Sequence, residues 1–211
     1  MKNGNDSSEL VISYLTLRWV VGLLGMLLPL LLAIGAMIVF SATTLEDSIS
    51  DYYGTGMRDV FVGILCAIGC FLLTYKGHDK KDNVAGNLAC AFALGVAFFP
   101  VTSSSVWVRA VHFSSAAALF VTLSYFSLFL FTKTSEDASP TPRKIIRNRI
   151  YAGCGVAMLV CIGLIGVYYL FDVTSLATIK PVFWLESAAL LAFGVSWFVK
   201  GETLLKDEDP E

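Results

Sequence analysis

Apolar residues gather in six long blocks separated by short polar or charged interruptions: Trp19 to Ala42, Val60 to Tyr75, Val84 to Val101, Ala110 to Thr132, Ile150 to Phe171 and Pro181 to Val199. A helix needs about 20 apolar residues to cross the hydrocarbon, with shorter runs tolerated where the bilayer or flanking residues adjust. The pattern therefore predicts an all-α polytopic membrane protein, a six-transmembrane-helix bundle in one domain over residues 1–211. The second block, caught between Asp59 and Lys76, is the shortest.

Lysine and arginine orient the bundle, because cytoplasmic loops carry their excess. With both termini cytoplasmic, the inner segments hold Lys2, Arg18, Lys76, Lys80, Lys81, Lys133, Arg143, Lys144, Arg147, Arg149, Lys200 and Lys206. Arg58, Arg109 and Lys180 fall outside. The basic stretch "SPTPRKIIRNR" reads as a cytoplasmic loop that sets topology. Ala85, Ala89, Ala93 and Ala97 recur every four residues, a small-residue stripe that admits a neighbouring backbone and predicts a central third helix. Gly153, Ala157 and Cys161 repeat that spacing in the fifth.

Composition agrees with a membrane chain: 56% hydrophobic, 15% charged, mean hydropathy +0.71. A net charge of -2 with no basic patch beyond what topology requires gives no expectation of a nucleic-acid partner. Cys66, Cys70, Cys90, Cys154 and Cys161 lie in apolar runs without zinc or CxxC spacing and read as packing residues. The apolar run after Arg18 exceeds a typical signal-peptide core and reads as a retained anchor. The "KDEDPE" tail reads as solvated, His78 as a loop residue and Ser103 to Ser105 as a turn. Short loops and compact length point to a bacterial inner membrane.

Alternating topology starts the second, fourth and sixth helices at the outer face, so Asp59, Arg109 and His112 share a depth. Glu186 lies roughly 7 Å into the last helix at 1.5 Å per residue. A carboxylate inside a span costs at least a few kcal/mol unless paired or facing water, so it should point into the bundle. Arg109 and His112 lie three apart, on a face that Ser115 extends inward. An Arg109 to Glu186 ion pair is expected, with His112 bonded to Asp59 or Glu186. The loop "LEDSISDYYGTGMRD" adds Ser50, Asp51, Tyr52 and Arg58 to this outer cluster, although Arg58 and Asp59 also read as solvated interface charges.

The order "SISDYY" before a helix, "GVAFFP" closing the third, "VHFSSAAALF" opening the fourth and "WLESAALLAFGVSWF" as the last resembles the DRAM-like six-helix membrane proteins. That group comprises damage-regulated autophagy modulators, GPI-anchor lipid-remodelling proteins and prokaryotic members of unknown function. The likeness covers most of the chain and rests on Ser50, Asp51, His112 and Glu186. A more distant likeness is to the CREST membrane hydrolases, whose zinc is held by several histidines. Here His78 and His112 are expected on opposite sides, so a three-histidine site cannot form.

These readings lead to an outer-leaflet polar pocket that interacts with or remodels membrane lipids. A lipid hydrolase is the alternative, with Glu186 or Asp59 as general base and His112 as acid or metal ligand. No cofactor is expected, although a divalent metal on His112, Glu186 and Asp59 stays open, as do a homo-oligomer, a scaffold role and proton-coupled transport.

Overall fold

The computed structural model describes residues 4–75, 80–133 and 141–201. The readings placed on Lys2, Lys76, His78, Lys206 and the "KDEDPE" tail lie outside the described residues. Among those described, six α-helices and three short helical segments make up the regular structure, and no strand occurs. The helices are α1 (Gly4–Phe40), α2 (Arg58–Leu73), α3 (Lys80–Phe98), α4 (Val106–Tyr125), α5 (Pro142–Leu170) and α6 (Pro181–Lys200). Each packs beside the next in sequence, and α6 returns to α1 to close a ring.

Four segments are long and apolar enough to cross a membrane: Leu15–Phe40, Val106–Leu130, Pro142–Leu170 and Pro181–Lys200. Their outward faces carry large apolar side chains such as Ile38, Leu164 and Leu191, all more than half exposed or nearly so. This inverts the usual soluble pattern and suits hydrocarbon as the solvent. The 16 residues of α2 extend about 24 Å at 1.5 Å each, short of a hydrocarbon core of about 30 Å.

Helix ends follow local chemistry. Ser41 adopts a left-handed conformation (φ 54°) and the Ala42 N–H donates back to Ala36 O at 3.1 Å, so a left-handed residue ends the helix and an otherwise unpaired carbonyl is satisfied. In α5, Thr141 caps the Lys144 N–H at 3.1 Å with Pro142 as the first helical residue, which uses proline where no donor is needed. The basic stretch expected as a loop is therefore largely the first turns of α5. Likewise α4 starts at Val106, four residues before the apolar block, so Arg109 lies within it. It continues into a π-helical turn at Phe126–Leu130, closed by Phe131 N–H to Phe126 O at 2.9 Å.

Without a hydrophobic drive between helices in lipid, close packing must hold the ring. The tightest crossing is α1 on α6: a methyl at Gly194 would lie 2.5 Å from Gly22 O, and one at Gly22 would lie 2.7 Å from Gly194 O. The alanine stripe of α3 is buried as expected, with Ala89, Ala93 and Ala97 at 0% exposure. Yet α3 takes one place in the ring between α2 and α4 rather than the centre, and its Val84 and Leu88 face outward. In α5 the expected stripe is a contact only in part: Cys161 is buried in the core, but a methyl at Gly153 would meet nothing within 4 Å, whereas Gly155 seats Leu128 of the π-helical turn.

One end of the ring is knotted by aromatic rings. Trp197 meets Tyr75, Phe126 and Phe131 at centroid distances of 5.3 to 5.6 Å. Charges tie down its rim: Lys133 pairs with the buried Asp82 at 2.6 Å, Lys144 donates to Phe131 O at 3.1 Å, and the Arg18 guanidinium lies 5.5 Å from the Tyr75 centroid. Asp82 carried no signal in the sequence, because its partner lies 51 residues away.

Gly194→Ala should cost about 1–3 kcal/mol by overpacking against backbone, whereas Gly163→Ala, with nothing within 4 Å of the new methyl, should be neutral or slightly stabilising. Thermal unfolding in detergent compares the two; equal stabilities would refute the α1–α6 crossing.

Candidate functional site

The polar site lies at the end of the ring opposite the aromatic knot, where the chain between α1 and α2 turns inward. Ser48, Ile49, Ser50 and Tyr52 are all buried there, so their backbone groups need partners within the protein. The start of α6 supplies them. Glu186 Oε2 accepts the Ile49 N–H at 2.6 Å, and Asp47 O accepts the Phe183 N–H at 3.0 Å. The second bond satisfies a donor that the first turn of α6 leaves without an intrahelical acceptor. The loop and the helix thus cap each other.

Two further contacts fix the same junction. Lys180 takes a left-handed conformation (φ 54°, ψ 54°), which costs a residue with a Cβ of order 1 kcal/mol or more, and its ammonium pairs with Asp47. That bond holds the Lys180 ammonium above the usual lysine range. Burial, with Asp51 nearby, raises the Glu46 carboxyl above the usual carboxylate range. Within the loop, Ser48 Oγ donates to Asp51 Oδ2 at 2.8 Å and accepts the Asp51 N–H at 3.1 Å, closing a tight turn into the 3-10 segment Ser50–Gly54.

Beside this junction a cavity of about 510 Å³ opens between α4 and α5. Phe113, Ala116 and Phe120 of α4 form one wall, and Ile162, Ile165 and Gly166 of α5 form the other. Ser48, Ser50, His112 and Glu186 also line it and gather its polar groups. Phe113 and Tyr169 touch across the two walls with centroids 5.8 Å apart. The groove is open sideways: Phe113, Ala117, Gly166 and Tyr169 are exposed, and a methyl at Gly166 would meet nothing within 4 Å.

His112 is 2% exposed and its Nδ1 lies 2.7 Å from Phe99 O. A carbonyl can only accept, so Nδ1 carries the hydrogen; in the neutral form of the ring Nε2 then keeps a lone pair. The ring is thus held by the end of α3 rather than by Asp59 or Glu186, a correction to the expected pairing.

Of the expected site residues, Ser50, His112 and Glu186 line the cavity, with Asp51 and Tyr52 in the loop that forms its polar end. The others stand elsewhere. Arg109 does not pair with Glu186: its Nη1 donates to Ser103 O at 2.6 Å and Ser104 O at 3.1 Å, because the earlier start of α4 folds those carbonyls back onto it. Arg58 and Asp59 pair with each other at 3.4 Å on exposed side chains, solvated as the alternative reading had them. Ser115 packs on Gly95 of α3. The trio His112, Glu186 and Asp59 is therefore not assembled, and among the described residues no three His, Cys, Asp or Glu side chains gather as metal ligands.

Ser48 and the α5 wall were missed by sequence reasoning. A signal for the wall existed: Ile162, Ile165, Gly166 and Tyr169 fall at i, i+3, i+4 and i+7, one face of a helix. Within an all-apolar span that face does not stand out. Comparison with protein-family models, curated proteins and solved structures returns no match for the chain.

Replacing Glu186 by alanine strands the buried Ile49 N–H and should cost about 1–3 kcal/mol. Glu186→Gln keeps an acceptor and should cost less than half as much. Hydrogen exchange at Ile49 should rise in Glu186→Ala; unchanged protection there would refute the mutual cap.

Proposed function

We propose that this protein binds a membrane lipid in the groove between α4 and α5, with the lipid's polar head at Glu186, His112, Ser48 and Ser50. One observation carries the reading: an apolar cavity of about 510 Å³ that opens sideways between two apolar helices and ends in buried polar groups. Its size is within the range of about 300–1,000 Å³ typical of small-molecule sites. Its shape matches an amphiphile entering from the bilayer with the chain along the walls.

The reading assumes that all six helices span, with both termini cytoplasmic and the groove in the outer leaflet of a bacterial inner membrane. The support is the positive charge near the knotted end, where Arg18, Lys133, Lys144 and Arg147 lie, against Lys180, Arg58 and Arg109 at the groove end. Reporter fusions after Gly201 should be active only as a cytoplasmic-side marker; an active periplasmic reporter there would overturn the orientation.

A second reading, hydrolysis of a lipid amide or ester, is favoured by the serines, the His112 Nε2 lone pair and the Glu186 carboxylate gathered at one end. Unchanged lipid composition in cells carrying His112→Ala would sink it. Transport fits less well. Ser127 bonds Ser196 at 2.7 Å, Ser124 bonds Phe120 O at 2.8 Å and Thr74 bonds Phe71 O at 2.8 Å, so these inner hydroxyls are engaged locally.

Gly166→Trp should fill the groove while adding helix propensity. Lipid copurifying with the protein should fall at least about tenfold, equivalent to about 1.4 kcal/mol, with the unfolding temperature unchanged. Equal lipid content in wild type and variant would refute a lipid-binding groove.

A further inference from the structure

This inference rests on the groove reading and concerns which lipid the groove takes. Among the described residues, no lysine or arginine lines the cavity. The three cations at this end are committed elsewhere: Lys180 pairs with Asp47, Arg58 with Asp59, and Arg109 donates to Ser103 O and Ser104 O. The polar end instead offers anionic and neutral acceptors, beside the Ser50 and Tyr169 hydroxyls, which donate as well as accept. Glu186 brings a carboxylate whose Oε2 takes the Ile49 N–H at 2.6 Å; with about four lone-pair sites, a carboxylate bonded to backbone N–H groups still has acceptor capacity. In the neutral ring, the hydrogen bond from His112 Nδ1 to Phe99 O leaves Nε2 as an acceptor. Asp51 stands directly behind, taking the Ser48 hydroxyl hydrogen at 2.8 Å.

An anionic head in this place would lie against Glu186 with no cation to neutralise it, and like charges in a poorly solvated site repel strongly. A head that donates hydrogen bonds meets groups able to receive them, and a buried acceptor left without a donor carries a penalty of its own. The apolar walls accommodate a hydrocarbon chain, and the sideways opening beside Gly166 leaves any second chain in the bilayer.

We infer that the groove selects amphiphiles whose head is a hydrogen-bond donor, uncharged or cationic (hydroxyl or amine), and rejects phosphate and carboxylate heads. Charge and donor capacity choose the ligand, while the chain supplies the affinity common to all candidates.

The test holds the chain constant and varies the head. Native mass spectrometry of the detergent-purified full chain at pH 7.5 would read one-to-one adducts with hexadecanol, hexadecylamine, palmitate and hexadecyl phosphate at equal concentration. The alcohol and the amine should be bound at least tenfold more than either anion. In Glu186→Gln, which removes the charge and keeps an acceptor for Ile49, the discrimination should fall below threefold. Should that variant not fold, the wild-type ranking decides alone. Adducts that persist in Gly166→Trp are surface attachment and count against the inference. If all four bind within threefold, or the anions bind best, head selection is wrong while the groove stands. If none binds, the groove reading itself fails and this inference with it.

Discussion

A backbone that leaves its helix inside apolar surroundings must find hydrogen-bond partners in the protein, and here that requirement falls on Glu186. The segment between α1 and α2 buries Ser48, Ile49, Ser50 and Tyr52, and without an acceptor the Ile49 N–H would be stranded. Glu186 provides it at 2.6 Å, while Asp47 returns a carbonyl to the first turn of α6. Each side thus supplies a hydrogen-bond partner that the other lacks. A carboxylate placed within a span is costly; in this position its cost is offset by ordering a loop that shapes the groove.

The two ends of the ring are built differently. At one end Trp197, Tyr75, Phe126 and Phe131 interlock, with Lys133 on Asp82 beside them, and Gly22 against Gly194 fixes the adjoining helices. At the other end α4 and α5 part around the cavity. A firm knot at one end lets the opposite end hold an opening without loss of the fold, as a binding site carried on rigid elements requires. The π-helical turn at Phe126–Leu130 belongs to the knotted end, seating Leu128 on Gly155 where α4 and α5 converge below the groove.

The helices were legible in the sequence because hydrocarbon demands long apolar runs, and the alanine stripe of α3 was legible because small residues repeat at helical spacing. Glu186 was legible as a group turned into the bundle for the same reason: a charge stands out in an apolar span. Its partner was not. Charge complementarity suggested Arg109, but a carboxylate accepts from a backbone N–H as well as from a guanidinium, and no sequence pattern marks which amide will be left unpaired 137 residues away. His112 was found as a cavity residue and its partner, Phe99 O, was not, for the same reason. The α5 wall escaped notice because every face of that helix is apolar, so the face that lines a cavity looks like those that meet lipid.

The central claim is that α4 and α5 stand apart to hold a lipid whose head reaches Glu186. The most direct measurement is an electron cryomicroscopy structure of the full chain in lipid nanodiscs. The expected result is elongated density between Phe120 and Ile162, running to Glu186 and His112, with Ile49 still bonded to the carboxylate. A map in which α4 and α5 close on each other, leaving Glu186 bonded to Ile49 beside a filled and lipid-free interface, would contradict the account and leave Glu186 as a structural clamp.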